Sequence, residues 1–234
     1  MVHTDTRRRG DLHSRYRDKT VPPLPPRPST PMSKSSFILA GLILTWLLAL
    51  VLGFLALGRH DTTPGARGSP PDRWPSGASV QLDQSRPTLL IFIHPRCPCS
   101  AASMDELAEA VTRLRGRFAA HVLAFRPEGW EESALGGFDG LSIQGDPGGR
   151  EAARFGVETS GHVLVFDPSG RRVFSGGITI SRGHRGDNPG LDRLIGAIEG
   201  ASGGSGSGSG SGSSPVYGCP VFAPGEDRSG RVNP

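Results

Sequence analysis

In 234 residues, Gly (34) and Pro (21) are over-used and gather at the two ends, which excludes one compact unit over the whole length. Only about residues 74–199 have ordinary globular composition, enough for one modest domain. The formal charge of +4 comes largely from Arg7, Arg8, Arg9, Arg15, Arg17, Lys19, Arg27 and Lys34; no basic stripe with interleaved aromatics accompanies them, so the excess reads as a membrane-topology signal and speaks against nucleic acid as a partner.

Residues 1–36 are basic and Pro-rich, the composition of a disordered cytoplasmic tail. The run that follows, FILAGLILTWLLALVLGFLAL at 37–57, has no charge and no polar face. About 20 residues at about 1.5 Å each cross the hydrocarbon core, so 37–58 is expected to be a transmembrane helix. A cleaved signal peptide would be shorter and would end on small residues. The heavier basic flank lies before the run, with only Arg59, Arg67 and Arg73 following closely. That asymmetry predicts a single pass with the N-terminus in the cytoplasm and the rest on the periplasmic, extracytoplasmic side. Residues 59–79 are rich in Gly, Pro and Ser and read as a flexible spacer.

A domain over 80–200 then alternates strands and helices. TLLIFIH at 88–94 is a buried strand, and 101–115 is a helix with Met104, Leu107, Ala108, Val111 and Leu114 on one side. Residues 121–125 form a second strand, followed by a weak helix near 130–135 and a short strand at 141–144. Asp146 caps a helix with Pro147 at its first position, running to about Phe155. Residues 162–167 and 171–175 make a hairpin around Pro168-Ser169-Gly170, and Asn188-Pro189 opens a last helix ending at Gly200. This order describes an α/β domain of three layers. Residues 201–214 are nearly pure Gly and Ser, a linker. After it, 215–223 holds PVYGCPVF, an apolar island around Cys219 that is expected to dock on the domain. Residues 224–234 read as a disordered tail.

The chemistry lies in three cysteines. Cys97 and Cys99 sit in His94-Pro95-Arg96-Cys97-Pro98-Cys99-Ser100, between a buried strand and an amphipathic helix. A cysteine at a helix N-terminus faces unpaired N–H groups and the positive end of the dipole, which favour thiolate. Arg96 and His94 add positive charge nearby. Outside the cytoplasm such thiols can form disulfides. The same soft donors, Cys97, Cys99 and Cys219 with His94 or His184, would also suit Cu(I) or Zn²⁺.

The stretches HPRCPCSAAS, GGITISRGHRGDNPG and PVYGCPVF resemble bacterial membrane-anchored thioredoxin-like proteins of the RedB type, with TlpA-like topology. The resemblance covers about residues 86–222. It implies a thioredoxin-like fold, a central mixed sheet flanked by helices, preceded by one transmembrane helix. It also implies that Cys97 stands on the family's first cysteine. Ser100 then occupies the second cysteine position, and Gly161 stands where the family has its cis-proline. The fold implies further that Ser160, Gly161 and the loop 176–188, with Arg182 and His184, surround Cys97, so that His94, Arg96, Pro98, Ser100, Ser160, Gly161, Arg182 and His184 line the site.

The leading function is a thiol–disulfide oxidoreductase or redox relay with protein thiols or disulfides as partners. Cys97 is the nucleophile, and Cys99 and Cys219 are both candidates for the resolving thiol. No cofactor is called for. The alternatives are a Cu(I) or Zn²⁺ thiolate protein and a redox-inactive adaptor. Peroxide reduction, in which Arg182 could serve, lacks its T-x-x-C pattern.

Overall fold

The structure, a computed structural model, describes residues 33–95, 97–126, 141–202 and 212–222. The N-terminal tail, the helix expected near 130–135, Arg96, most of the Gly/Ser linker and the last residues lie outside that set. Contacts divide the chain into a unit up to Leu50 and a unit from Val51 onward.

The apolar run forms helix α1 (Lys34–Thr62), 29 residues long with none buried. Among the described residues it is the one helix long and apolar enough to cross a membrane.

The second unit is built on a six-stranded sheet in the order β3-β2-β1-β4-β5-β6. Strand β1 (Thr88–Ile93) lies at its centre and is buried throughout. Its alternation sorts the core into two. Leu89, Ile91 and Ile93 face one side, with Met104 and Leu107 of α2 (Pro98–Arg113), Leu114 just past its end, and Leu191, Leu194 and Ile198 of α4 (Pro189–Ser202). Leu90 and Phe92 face the other, with Val80, Phe155, Val157, Leu164 and Phe166. A strand covered on both faces has no polar side to show, which is why TLLIFI is continuously apolar.

β2 (Ala119–Arg126) runs parallel to β1, and β3 (Ser142–Pro147) parallel to β2. α3 (Arg150–Arg154) follows. β4 (His162–Phe166) pairs antiparallel with β1, β5 (Arg172–Gly176) antiparallel with β4, and the short β6 (Gly212–Ser213) parallel with β5. This mixed sheet flanked by helices is thioredoxin-like, with β3 and β6 added at the edges. Because β4 runs against β1, its first residue His162 lies opposite Phe92 near the end of β1. The segment before β4 is thereby brought to the cysteine turn.

Three local expectations need correction. α2 begins at Pro98, three residues early, because proline at the first helical position is pre-set for helix and Cys97 serves as the N-cap. Asp146 lies in β3, and its carboxylate accepts the N–H groups of Glu151 and Ala152 at 2.9 Å each; Gly149, at φ +69°, is the N-cap of α3. Of residues 59–79, read as a flexible spacer, the first four lie in α1 and 63–79 are fastened to the domain. Ser69 N–H donates to Gly156 O, Arg172 to Pro70 O and Asp72, and Trp74 packs edge-on against Phe155 and Phe166 at 5.3 and 5.1 Å.

Candidate thiol site

Cys97 stands between β1 and α2 in extended backbone. Its N–H donates to His94 O and its carbonyl accepts the Ser100 N–H, each at 2.9 Å. The main chain is therefore fixed on both sides of the sulfur. Pro98 takes the first helical position and faces solvent; Cys99 follows in the first turn and is buried. Cys219 arrives from the far end of the chain. Its Sγ lies 2.9 Å from Cys97 Sγ, and the three sulfurs lie within 4.8 Å of one another.

Backbone contacts hold Cys219 there. Ser160 N–H donates to Cys219 O and Val221 N–H to Glu158 O, both at 2.9 Å, with Thr159 bridged to Pro220. Upstream, Gly177 N–H donates to Pro215 O and Gly65 N–H to Val216 O. Val216 and Val221 are buried, as an apolar island seeking a core should be.

The electrostatics separate the three thiols. Burial pushes Cys97 up, but hydrogen bonds from the thiol and N–H of Cys219 and from the N–H and thiol of Cys99 outweigh it, and the net displacement is downward. Cys99 is raised by burial and by the neighbouring Cys97; Arg182 and the Gly183 N–H oppose this. Cys219 is pushed up to about 12 by burial, by donating to Cys97 and by charge on the other two sulfurs, against the pull of Arg182. The cluster thus favours one thiolate, on Cys97, with two protonated neighbours.

Ser100, where a second family cysteine would fall, is locked with Ser160 and His94. The His94 N–H donates to Ser160 Oγ at 2.9 Å and to Ser100 Oγ at 3.1 Å. Ser100 Oγ–H donates to His94 O at 2.8 Å, and the two hydroxyl oxygens lie 2.8 Å apart. With its proton on His94 O, Ser100 accepts from Ser160. The His94 ring stacks on Phe125 at 5.4 Å. Gly161 has φ +84°, donates its N–H to Phe92 O at 2.7 Å, and a Cβ there would meet Ser103 Oγ at 2.8 Å. Glycine is required by both conformation and space.

Arg182 lies against the segment that carries Cys219. Its guanidinium donates to Gly218 O, to His60 O at 3.1 Å and to Thr63 O at 3.3 Å. His184 does not join the sulfurs: it is exposed, with Nδ1 2.8 Å from Arg182 O in its own loop. Glu106 was missed by sequence reasoning. It is a buried carboxylate on α2, accepting the Gly186 N–H at 2.7 Å and the Asn188 amide at 3.3 Å, and it holds the loop that carries Arg182. Its signal was an acidic residue on the stripe Cys99, Ser103, Glu106, Ala110, at helical spacing and all buried.

No family model and no curated protein matches this chain. Among solved structures, it is similar to an uncharacterized conserved protein from Geobacillus kaustophilus, at 16% identity and a TM-score of 0.50, covering 68% of this chain and 92% of that one. A hypothetical protein from Sinorhizobium meliloti 1021 matches at 20% identity and 0.49, covering 68% and 93%. A secreted Mycobacterium tuberculosis disulfide oxidoreductase matches at 18% identity and 0.37, covering 50% and 83%. At such identities a likeness is one of fold alone.

Proposed function

We propose that this chain is a membrane-anchored thiol–disulfide oxidoreductase or redox relay of the RedB type. Its N-terminus lies in the cytoplasm and its thiol domain on the extracytoplasmic side. The observation that carries the redox reading is the approach of Cys219 Sγ to 2.9 Å from Cys97 Sγ, with Cys97 drawn toward thiolate. In the reductive direction, the Cys97 thiolate attacks one sulfur of a partner disulfide. A mixed disulfide forms, and the other partner sulfur leaves as thiolate. Cys219 then gives its proton to solvent and attacks Cys97 Sγ. The second partner sulfur leaves as thiolate, and a Cys97–Cys219 disulfide closes. Two thiols are oxidised and one disulfide is reduced; the reverse sequence oxidises a dithiol. Cys99 is the poorer resolving thiol, because a ring closed between residues two apart is strained.

The test is to oxidise the full chain in detergent, digest it without reductant and identify the linked peptides. A Cys97–Cys219 link is expected. A Cys97–Cys99 link alone, with Cys219 always a thiol, would rule out the resolving role. For topology, a reporter active only outside the cytoplasm, fused after residue 234, should be active.

A second reading has its own support in the sulfur cluster. Three thiolates around one ion at about 2.3 Å stand about 4 Å apart in a trigonal plane; the three sulfurs lie within 4.8 Å, and the Cys97–Cys219 pair at 2.9 Å would open by about 1 Å to hold the ion. The donor set is all sulfur, which suits a soft ion such as Cu(I), or Zn²⁺ completed by a fourth ligand. Metal analysis of chain purified anaerobically with reductant tests it: a stoichiometric ion lost on Cys219→Ala supports this reading.

A further inference from the structure

The arm that carries Cys219 is held on two sides. Glu158 and Ser160 of the domain hold one side through main-chain contacts. The chain leaving α1 holds the other. Gly65 N–H donates to Val216 O at 2.8 Å, and Ala66 O accepts the hydroxyl of Thr159, the residue bridged to Pro220, at 2.7 Å. Arg182 joins the end of α1 to the residue just before Cys219. Its N–H donates to Asp61 O at 3.0 Å, and its guanidinium to His60 O, Thr63 O and Gly218 O. All of these residues belong to the unit from Val51 onward. We propose that the end of α1 is a working part of the thiol site: through Arg182 as positioning residue, the exit of the anchor helix clasps the Cys219 arm and keeps its sulfur ready for the resolving step. This rests on the exchange reading above and assigns that reaction a new positioning element.

The chemistry of a helix end explains the clasp. His60 and Asp61 are among the last four residues of α1, whose carbonyls lack a partner inside the helix. The negative end of the helix dipole favours a cation there. A guanidinium carries five N–H donors in a rigid fork, so one arginine can serve the helix end and the Gly218 carbonyl together. Space is tight on the same side: a Cβ on Gly65 would meet Thr159 Oγ1 at 2.5 Å, so the exit strand lies directly against the residue that bridges to the arm. A tethered thiol resolves at a rate set by the time it spends within reach of the mixed disulfide. Arg182 acts one residue from the sulfur, where restraint of the main chain is most direct. The thiol pair and the anchor thus share one fastening, although Cys97 and Cys219 stand far from α1 in sequence.

The experiment uses the full chain in detergent, in a Cys99→Ser background so that no third thiol competes. The probe is the symmetrical disulfide of thionitrobenzoate, one equivalent per chain. The Cys97 thiolate attacks one sulfur of the probe, the probe disulfide breaks, and one coloured thiolate leaves. Cys219 then gives its proton to solvent and attacks Cys97 Sγ; the second coloured thiolate leaves and a Cys97–Cys219 disulfide closes. Arg182→Ala cuts the bridge, and Gly65→Pro removes the N–H donated to Val216. Each should slow the second release by about tenfold or more, because the tethered thiol spends less time in reach. Arg182→Lys, which keeps a cation at the helix end, should recover part of the rate. Amide hydrogen exchange over 215–222 reads the clasp without thiol chemistry, and it should quicken in both variants while β1 stays protected. A second release unchanged in both variants would overturn the proposal, whether or not hydrogen exchange quickens. A parent chain that gives no second release would sink the exchange reading; quickened hydrogen exchange in the variants then keeps the clasp, and unchanged hydrogen exchange sinks it as well.

Discussion

Glu106 and Asn188 meet side chain to side chain at 3.3 Å, joining the buried face of α2 to the turn that opens α4. Asn188 also caps α4 by accepting the Leu191 N–H at 2.7 Å, so one contact ties the thiol-bearing helix to the start of the last helix.

Glu106→Ala should therefore act on the thiols at a distance. It strands the Gly186 N–H and frees the loop that aims Arg182, at a stability cost of about 1–3 kcal/mol. Arg182 draws both Cys99 and Cys219 downward, so both should titrate higher in the variant. Glu106→Gln, which keeps the acceptor for Gly186, should restore most of the wild-type titration. Thiol titration followed by mass spectrometry reads it, and unchanged titration in the alanine variant would assign Glu106 to stability alone.

Cys97 should be the first of the three to lose its proton. Its alkylation by iodoacetamide should show a pH midpoint below that of an ordinary thiol, about 8.5. Cys219 should resist until strongly alkaline pH. Cys219→Ala removes the main donor to Cys97, and its midpoint should rise. Preferential labelling of Cys99 near neutral pH would reverse the assignment.

His162 makes the fold acid-sensitive. It is buried, its Nδ1 has no hydrogen-bond partner among the described residues, and burial with Arg172 and Arg67 nearby lowers it from 6.5 to about 4. A base whose folded value is lowered leaves stability intact above 6.5 and removes it as pH falls from 6.5 toward 4. The loss by pH 4 is about 3 kcal/mol. Denaturant melts across that window should show it, and His162→Phe should flatten this part of the slope whatever its effect at pH 7.

Folding should not depend on metal. The two cores are filled by Leu, Ile, Val, Met and Phe packed on both faces of β1. A domain with its own apolar core differs from a zinc finger, which folds only on binding. Chelator should leave cooperative melting unchanged, and loss of the transition would favour a structural metal.

Much of this was legible in the sequence because apolar content and turn chemistry are local. The run TLLIFI, the Pro168-Ser169-Gly170 turn and the Asn188-Pro189 start each carry their own signal. The island around Cys219 stood out because valine and phenylalanine are foreign to a Gly/Ser tract. Residues 63–79 misled because Gly, Pro and Ser look alike whether a loop floats or lies along a sheet. Only Trp74, wedged against Phe155 and Phe166, hinted at anchoring. Glu106 escaped because a carboxylate on a helix is ordinarily read as solvated. Its burial depends on Gly186 and Asn188, about 80 residues away, a partnership no local pattern announces.

Strand β6 and the residues after it give the domain a late finish. A fragment stopped at Ser202 keeps α2, α3 and α4 but strips Val216 and Val221 from buried places. It bares the Phe174–Ser175 edge of β5, a ready template for pairing with a neighbouring copy. Such a fragment should precipitate or self-associate, and its thiols would report a half-built cleft. A recombinant boundary placed beyond Phe222 keeps the wall that the chain supplies to itself.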